Sequence, residues 1–403
     1  MFDVDHLRSL FPALTRTDGS GRPYLYADGP AGTQVPRSVI AAVAAGMAEA
    51  ASNVGGHFEA SRSSEAVVAG ARQAAADLVG GSPDEIIFGA NMTTVTFAFS
   101  RALAQTWSSG DRIVLSGLDH DANVSPWLRA AADRGAEVVF ADVTADATLD
   151  LDHLESLIDH RTRLVAVTGC SNAFGSRVDV GRVASAAHAV GALCYVDAVH
   201  LAPHVRIDVA DLGVDFLVCS AYKFYGPHVG ILWGRAELLA ATEAYKVRPA
   251  PSEPPGRFET GTPSFALFAG VTAAVDHIAS LGEGPDRGNR LDDAYRVVGA
   301  HERALGERLL AGLPTGIRLW GPPTMDGRVS TFAVGVDGMT ADQASARLGE
   351  RGIFTWSGHY YAIEPMRRLG LLDQGGLVRI GLVATTTEEE VDRLLAELAD
   401  LLS

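Results

Sequence analysis

A lysine and an aspartate, each placed just after a short apolar run, carry the first chemistry in this chain. Lys223 lies in Val218-Cys219-Ser220-Ala221-Tyr222-Lys223-Phe224-Tyr225-Gly226-Pro227, directly after the strand-like run Asp215 to Cys219. Upstream, the run Ala192-Leu193-Cys194-Tyr195-Val196 ends in Asp197. Two strands that end in an acid and an amine bring both groups to one edge of a parallel sheet, where open α/β sheets bind ligands. An amine that can form an imine and a carboxylate that keeps a ring nitrogen protonated are what pyridoxal phosphate (PLP) requires. A plainer reading also exists: a solvated surface lysine and an aspartate that caps a turn.

Three more strand-to-helix junctions carry polar groups. Gly89-Ala90-Asn91-Met92-Thr93-Thr94 follows the strand Glu85 to Phe88 and opens a helix, so its backbone N–H groups and hydroxyls can receive a phosphate or simply cap the helix. Asp119-His120-Asp121-Ala122-Asn123 follows the next strand. Its imidazole can stack on a flat ring, move protons or sit solvated in a loop. Ser171-Asn172-Ala173-Phe174-Gly175 follows a third, and the Asn172 amide can bond a phenolic oxygen or close a turn. No strand-to-helix turn carries Gly-x-Gly-x-x-Gly, which disfavours a nicotinamide dehydrogenase.

Such junctions need a sheet to hold them. Strand-like runs at Glu85–Phe88, Arg112–Ser116, Glu137–Phe140, Leu164–Thr168, Leu193–Val196, Phe216–Cys219 and Gly230–Trp233 alternate with helical stretches such as Thr93–Gln105 and Ala122–Arg134. Alternation of this kind predicts an α/β domain built on a mostly parallel sheet. A Pro-rich stretch from Arg248 to Pro255 precedes helices around Ala266–Leu281 and Asp292–Leu313. Gly321-Pro322-Pro323 then opens a compact α+β segment with strands Val329–Val336 and Leu377–Ile380 and a last helix from Thr387. The expected division is a leader over 1–45 packing with the small domain, a large domain over 46–284 and a small C-terminal domain over 285–403.

The 403 residues are 47% hydrophobic and 20% charged, the balance of a globular chain with a sizeable core. A net charge of −16 repels phosphate backbones and anionic bilayers, so neither nucleic acid nor membrane is an expected partner. The N-terminus has no basic-then-apolar pattern, and the apolar stretch Val39–Ala45 is too short to span a bilayer. The expected compartment is the cytoplasm. Cys170, Cys194 and Cys219 show no metal-ligand spacing and lie in or beside apolar runs, where a free cysteine behaves as a small core residue.

The junctions, together with Asp28-Gly29-Pro30-Ala31-Gly32-Thr33-Gln34, Asn53-Val54-Gly55-Gly56, Val196-Asp197-Ala198-Val199-His200, Lys246-Val247-Arg248-Pro249-Ala250 and Arg257-Phe258-Glu259-Thr260-Gly261-Thr262-Pro263, resemble the class V aminotransferase group of fold-type I PLP enzymes. The likeness is to its cysteine desulfurase-like branch and runs from about Phe11 to the C-terminus. It implies a homodimer with shared active sites and PLP as cofactor. It makes Lys223 the Schiff-base lysine and proton shuttle, Asp197 the partner of the pyridinium nitrogen and His120 the stacking ring. Asn172 and His200 would serve the phenolic oxygen. Met92, Thr93, Ser220 and Tyr222 would hold the phosphate, and Thr262 would reach the phosphate of the neighbouring subunit. Arg379 would take the substrate carboxylate by a two-pronged ion pair. Asn53, His359 and Tyr361 are the remaining expected substrate contacts.

The departures from the family pattern direct the functional reading. In the loop Trp356-Ser357-Gly358-His359-Tyr360-Tyr361-Ala362, Tyr361 stands where desulfurases carry the cysteine that accepts sulfur. Trp356 stands where the branch often has Arg. Gly55-Gly56 is expected to open space for a larger amino acid. The leading expectation is a PLP-dependent C–S β-lyase without a persulfide cysteine. An aminotransferase, an amino-acid epimerase and a decarboxylating deaminase share the same Cα-deprotonation logic. A PLP-free binding protein is the alternative from another class.

Overall fold

A computed structural model describes residues 2–403. Seven strands form the main sheet: β1 (Ile86–Gly89), β2 (Arg112–Ser116), β3 (Glu137–Ala141), β4 (Thr162–Thr168), β5 (Leu193–Asp197), β6 (Phe216–Ser220) and β7 (Gly230–Gly234). Their order is β1-β7-β6-β5-β4-β2-β3. Only β7 runs antiparallel to its neighbours, β1 and β6; the other pairs are parallel. This is the mostly parallel α/β architecture that the alternation of elements predicts, and the strand bounds agree within about two residues.

A parallel sheet is covered on both faces, so its strands read as unbroken apolar runs. The side chains nevertheless alternate between two cores, as the two-residue period of a strand requires. Val114, Val165, Val167, Cys194, Val196, Leu217 and Cys219 point into one core. Ile113, Leu115, Leu164, Ala166, Tyr195, Phe216 and Val218 point into the other. The first is closed by α2 (Glu59–Val79), α5 (Val180–His188) and α6 (Phe265–Ala279). The second is closed by α3 (Met92–Leu103) and α4 (Ser125–Arg134), which supply Val95, Phe99, Leu103 and the fully buried Trp127. All three cysteines are fully buried.

The expected helix Ala122–Arg134 is broken in two. Asp121–Asn123 is a 3-10 turn, and α4 begins at Ser125 with Pro126 in its first turn. Proline fits there because its missing N–H is an orphan at that position anyway. The break leaves His120 at the head of the turn, with its Nδ1 accepting the Ala122 N–H.

The small domain holds an antiparallel sheet of β8 (Ile317–Trp320), β9 (Thr331–Val336), β10 (Trp356–Gly358) and β11 (Leu377–Gly381), ordered β10-β11-β9-β8. The terminal helix α8 (Glu388–Asp400) starts with a capping box in which Thr387 and Glu390 satisfy each other's backbone N–H groups. Two domain boundaries differ from expectation. The leader divides its packing: Leu25 and Ala27 enter the small-domain core, whereas Leu7, Phe11, Leu14 and Val39 enter the large one. Its helix α1 (Arg37–Glu49) lies on α6 and α2, with Gly46 so close to Ala266 that a Cβ there would meet its backbone at 2.8 Å. Nor does the chain change domain at residue 285. Helix α7 (Arg287–Gly312) puts Leu291, Ala294, Tyr295 and Val298 in the large core and Leu305 and Leu309 in the small one. Its 26 residues are long enough to bridge both.

Candidate active site

The carboxyl ends of β2, β4, β5 and β6 and the small-domain loop 356–361 surround one cleft of about 420 Å³. Chain order reverses at β4 and β2, where two parallel strands lead away in opposite directions and leave a crevice. Met92, Thr93, His120, Asn172, Asp197, His200, Tyr222, Lys223, His359, Tyr361 and Arg379 all line this cleft. Ser220 lines a second recess with Asn91, Met92, Thr93, Thr94 and Tyr222 at the start of α3.

Lys223 is 9% exposed. Its ammonium donates to the carbonyls of Pro30 and Ala31, the latter at 3.1 Å, and lies 4.7 Å from the ring centre of Tyr222. Burial, reinforced by the Arg379 charge, lowers its pKa to about 7. Asp197 is also buried, and one oxygen accepts the Val199 N–H at 2.8 Å. Burial pushes its carboxyl up to about 6, against the pull of that bond and of Lys223. The pair is a base held partly neutral beside an acid that lacks a close cation.

His120 is pressed down to about 4 by burial and by Lys223 and Arg379, so it is a neutral ring. Its neighbour Asp119, buried, accepts Asn123 Nδ2 at 2.7 Å and the Thr168 N–H at 2.9 Å, which pins the turn to the end of β4. His200 is buried, bonds Thr331 Oγ1 through Nε2 at 2.9 Å, and has its pKa lowered by burial and by His204. Arg379 stands on β11 with its guanidinium 4.6 Å from the Tyr360 ring centre and Nη1 donating to the Asn172 carbonyl at 3.0 Å. Burial lowers its pKa to about 10, which leaves it a cation at neutral pH. Its Nε has no partner.

The first turn of α3 is held by two hydrogen bonds. Asn91 Oδ1 accepts the Thr94 N–H at 2.9 Å, and the Met92 N–H donates to Ser220 Oγ at 3.0 Å. Gly230 on β7 presses on the Asn91 backbone so closely that a Cβ would collide with it. Helix N-termini of this kind attract phosphate.

Some expected contacts lie elsewhere. Asn53 is outside the cleft; its carbonyl accepts the Ser61 hydroxyl. Thr262 lines a separate groove with Phe88, Gly89, Phe258 and Phe268. The space expected at Gly55-Gly56 is not part of the cleft, and a Cβ on Gly56 would meet the Phe58 ring at 2.5 Å. Asn172 turns its Nδ2 to the Tyr360 carbonyl, 3.0 Å away, and its buried Oδ1 has no partner.

Three residues of the site had no role in the sequence reading. Asp119 pins His120. Tyr360 supplies the ring against Arg379. Asp28, in the turn Asp28-Gly29-Pro30, is raised above the usual carboxylate range by burial, against the pull of the Arg379 and Lys223 charges. The adjacent His120 and the acid-Gly-Pro turn were the available signals, and neither says where a side chain points.

The residues present fit PLP. A buried carboxyl with a raised pKa suits a protonated ring nitrogen, the α3 start suits a phosphate, and Asn172, whose buried Oδ1 is unpartnered, lines the same cleft.

The model of the family described as "Aminotransferase class-V" matches residues 25–394. The chain belongs to that family. It is similar to the uncharacterized protein MT3887 of Mycobacterium tuberculosis, 33% identical over 99% of each chain. It is also similar to a cysteine desulfurase of Pectobacterium carotovorum, 31% identical over 98% of this chain and 97% of that one. The apo structure of a cysteine desulfurase from Thermococcus onnurineus superposes with a TM-score of 0.89 at 25% identity, covering 99% of this chain and 98% of that one. Class-V enzymes are PLP-dependent, and this chain is an enzyme of that kind with the fold-type I architecture. Among the described residues no helix is long and apolar enough to cross a membrane.

Proposed function

We propose that the protein is a PLP-dependent C–S β-lyase that releases sulfur directly, without an enzyme persulfide. The observation that carries this reading is the loop over Lys223. It presents Trp356, His359, Tyr360 and Tyr361 to the cleft and no thiol. A phenol cannot accept sulfane sulfur. The three thiols are fully buried, and burial pushes Cys170 and Cys219 up to about 12 and Cys194 higher still. Reactive cysteines need exposure and an electropositive setting. Cys170 does reach the cleft wall, but its thiol is turned to the Gly175 carbonyl at 3.3 Å.

In this reading Lys223 is the attachment point for PLP, Asp197 holds the ring nitrogen, His120 stacks on the ring, and the start of α3 with Ser220 and Tyr222 holds the phosphate. Bound PLP supplies an electron sink at Cα. Arg379 takes the α-carboxylate. Once the substrate amine had taken its place on the cofactor, Lys223 would be a free amine whose neutral Nζ could take the Cα proton. The electron pair left behind becomes a second bond between Cα and Cβ as the Cβ–S bond breaks, and sulfur departs with its own pair and gains a proton. Water then replaces nitrogen. The balance is cysteine plus water giving hydrogen sulfide, pyruvate and ammonium.

Asn53 and Thr262 are assigned to the site of a partner copy in a homodimer. Both lie outside the cleft of their own chain. Large exposed apolar side chains recur in the same stretches: Ile40, Met47, Val54, Phe58, Tyr245 and Val247. Exposed apolar surface of this kind marks protein contact.

The test replaces Cys170, Cys194 and Cys219 together by Ala or Ser and assays the folded variant. Sulfide and pyruvate at the unmodified rate are expected. Alanine as product, loss of turnover in a folded variant, or a persulfide trapped on any of the three cysteines in the unmodified protein restores the desulfurase reading.

A further inference from the structure

The cleft has few charges, and each already has a task. Lys223 and Asp197 serve the cofactor, and Arg379 serves one carboxylate. His120 adds none: its Nδ1 accepts the Ala122 N–H at 3.0 Å, and burial with the Lys223 and Arg379 charges keeps the ring neutral. His359 Nδ1 accepts the Tyr361 N–H at 3.1 Å. A second carboxylate on the substrate side chain would find no lysine or arginine lining the cleft beyond Lys223 and Arg379.

The loop offers aromatic faces instead. The Tyr361 ring lies 5.5 Å from that of His120 at 19° between planes, yet Tyr361 remains 67% exposed. Trp356 is 53% exposed and stands directly across the strand pair from Arg379. Tyr360 and Tyr361 both hold left-handed backbone, at φ 51° and 59°. Non-glycine residues adopt it only when their surroundings enforce it. Here the Asp121 N–H donates to the Tyr361 carbonyl at 2.7 Å, and Asn172 donates to that of Tyr360.

We infer that the substrate is an S-substituted cysteine whose sulfur carries an apolar, preferably aromatic, group that packs against Tyr361 and Trp356. The substrate class rests on the β-lyase reading; the apolar side-chain site does not. Thioether sulfur and aromatic carbon both make favourable contacts with such rings. The balance is S-substituted cysteine plus water giving the free thiol, pyruvate and ammonium.

The test uses the holoenzyme with S-benzyl-L-cysteine, L-cysteine and S-carboxymethyl-L-cysteine, following thiol and pyruvate. The non-eliminable probes L-phenylalanine and L-aspartate are titrated separately by the absorption change of the bound cofactor. A kcat/KM for the benzyl compound about tenfold or more above that of cysteine is expected, with the carboxymethyl compound poorest. Phenylalanine binds about tenfold tighter than aspartate. Tyr361→Ala and Trp356→Ala each erase most of both preferences, and Trp356→Arg raises activity on the carboxymethyl compound. Equal or better turnover of the carboxymethyl compound, or preferences untouched in both alanine variants, overturns the inference. If cysteine yields sulfide without any benzyl preference, the side-chain inference fails and the β-lyase reading stands. If phenylalanine binds tighter through Tyr361 but no thioether releases thiol, the apolar site stands and the β-lyase reading fails.

Discussion

The peptide N–H of Met92 donates to the hydroxyl of Ser220 at 3.0 Å, which ties the first turn of α3 to the end of β6 just ahead of Lys223. This contact links the recess at the start of α3 to the strand end that carries Lys223. Ser220→Ala leaves a buried N–H without its acceptor, at a cost of about 1–3 kcal/mol. Gly230→Ala pushes a methyl into the Asn91 backbone behind the same turn, with a similar cost from overpacking. Both variants are expected to bind PLP about ten- to a hundredfold more weakly in apoprotein titrations. Unchanged affinity in a folded Gly230→Ala protein contradicts the assignment of the phosphate to this recess.

Lys223 should react with the aldehyde of PLP in its neutral form. Its pKa is lowered to about 7, so the neutral fraction grows as pH rises through 7. An exposed lysine changes state near 10.4 instead. The rate of adduct formation by apoprotein is expected to climb between about pH 6 and 8 and then level off. Borohydride should fix the label on the Lys223 peptide alone. Label on Lys246, or a midpoint near 10, would reject the assignment.

Arg379 is expected to act on substrate binding. Arg379→Lys keeps a cation but loses the flat fork that two carboxylate oxygens require. A hydrogen bond to a charged group contributes about 1.5–3 kcal/mol, so kcat/KM should fall about ten- to a hundredfold, mostly through KM. The cofactor spectrum should remain. A variant with unchanged KM would place the carboxylate elsewhere.

The homodimer should be visible in sedimentation. Met47→Glu and Val247→Glu put charges on side chains that are 70% and 64% exposed in the single chain. In a dimer that covers them the pair of changes favours monomers, and PLP-dependent turnover falls because Asn53 and Thr262 leave the partner's site. A monomeric parent protein with full PLP occupancy would end this reading.

Much of the site was legible in the chain because its signals are local. Apolar runs of five or so residues ended by Asp197, by Asp119-His120 or by Ser220-Ala221-Tyr222-Lys223 already say that these groups sit at one end of a buried parallel sheet. Periodicity also put Cys194 and Cys219 in strands, and burial followed. Other features depend on distant segments meeting. No local pattern brings Tyr361 beside His120 or Arg379 against the Asn172 carbonyl. The pKa of Lys223 is tertiary too, since it comes from desolvation by atoms far away in sequence. Sequence alone determined which residue types stand at the strand ends, because strand period and apolar burial act over a few residues. The packing of the two domains along α7 and the loop 356–361 decided which of them face one another, because that depends on how separate cores close.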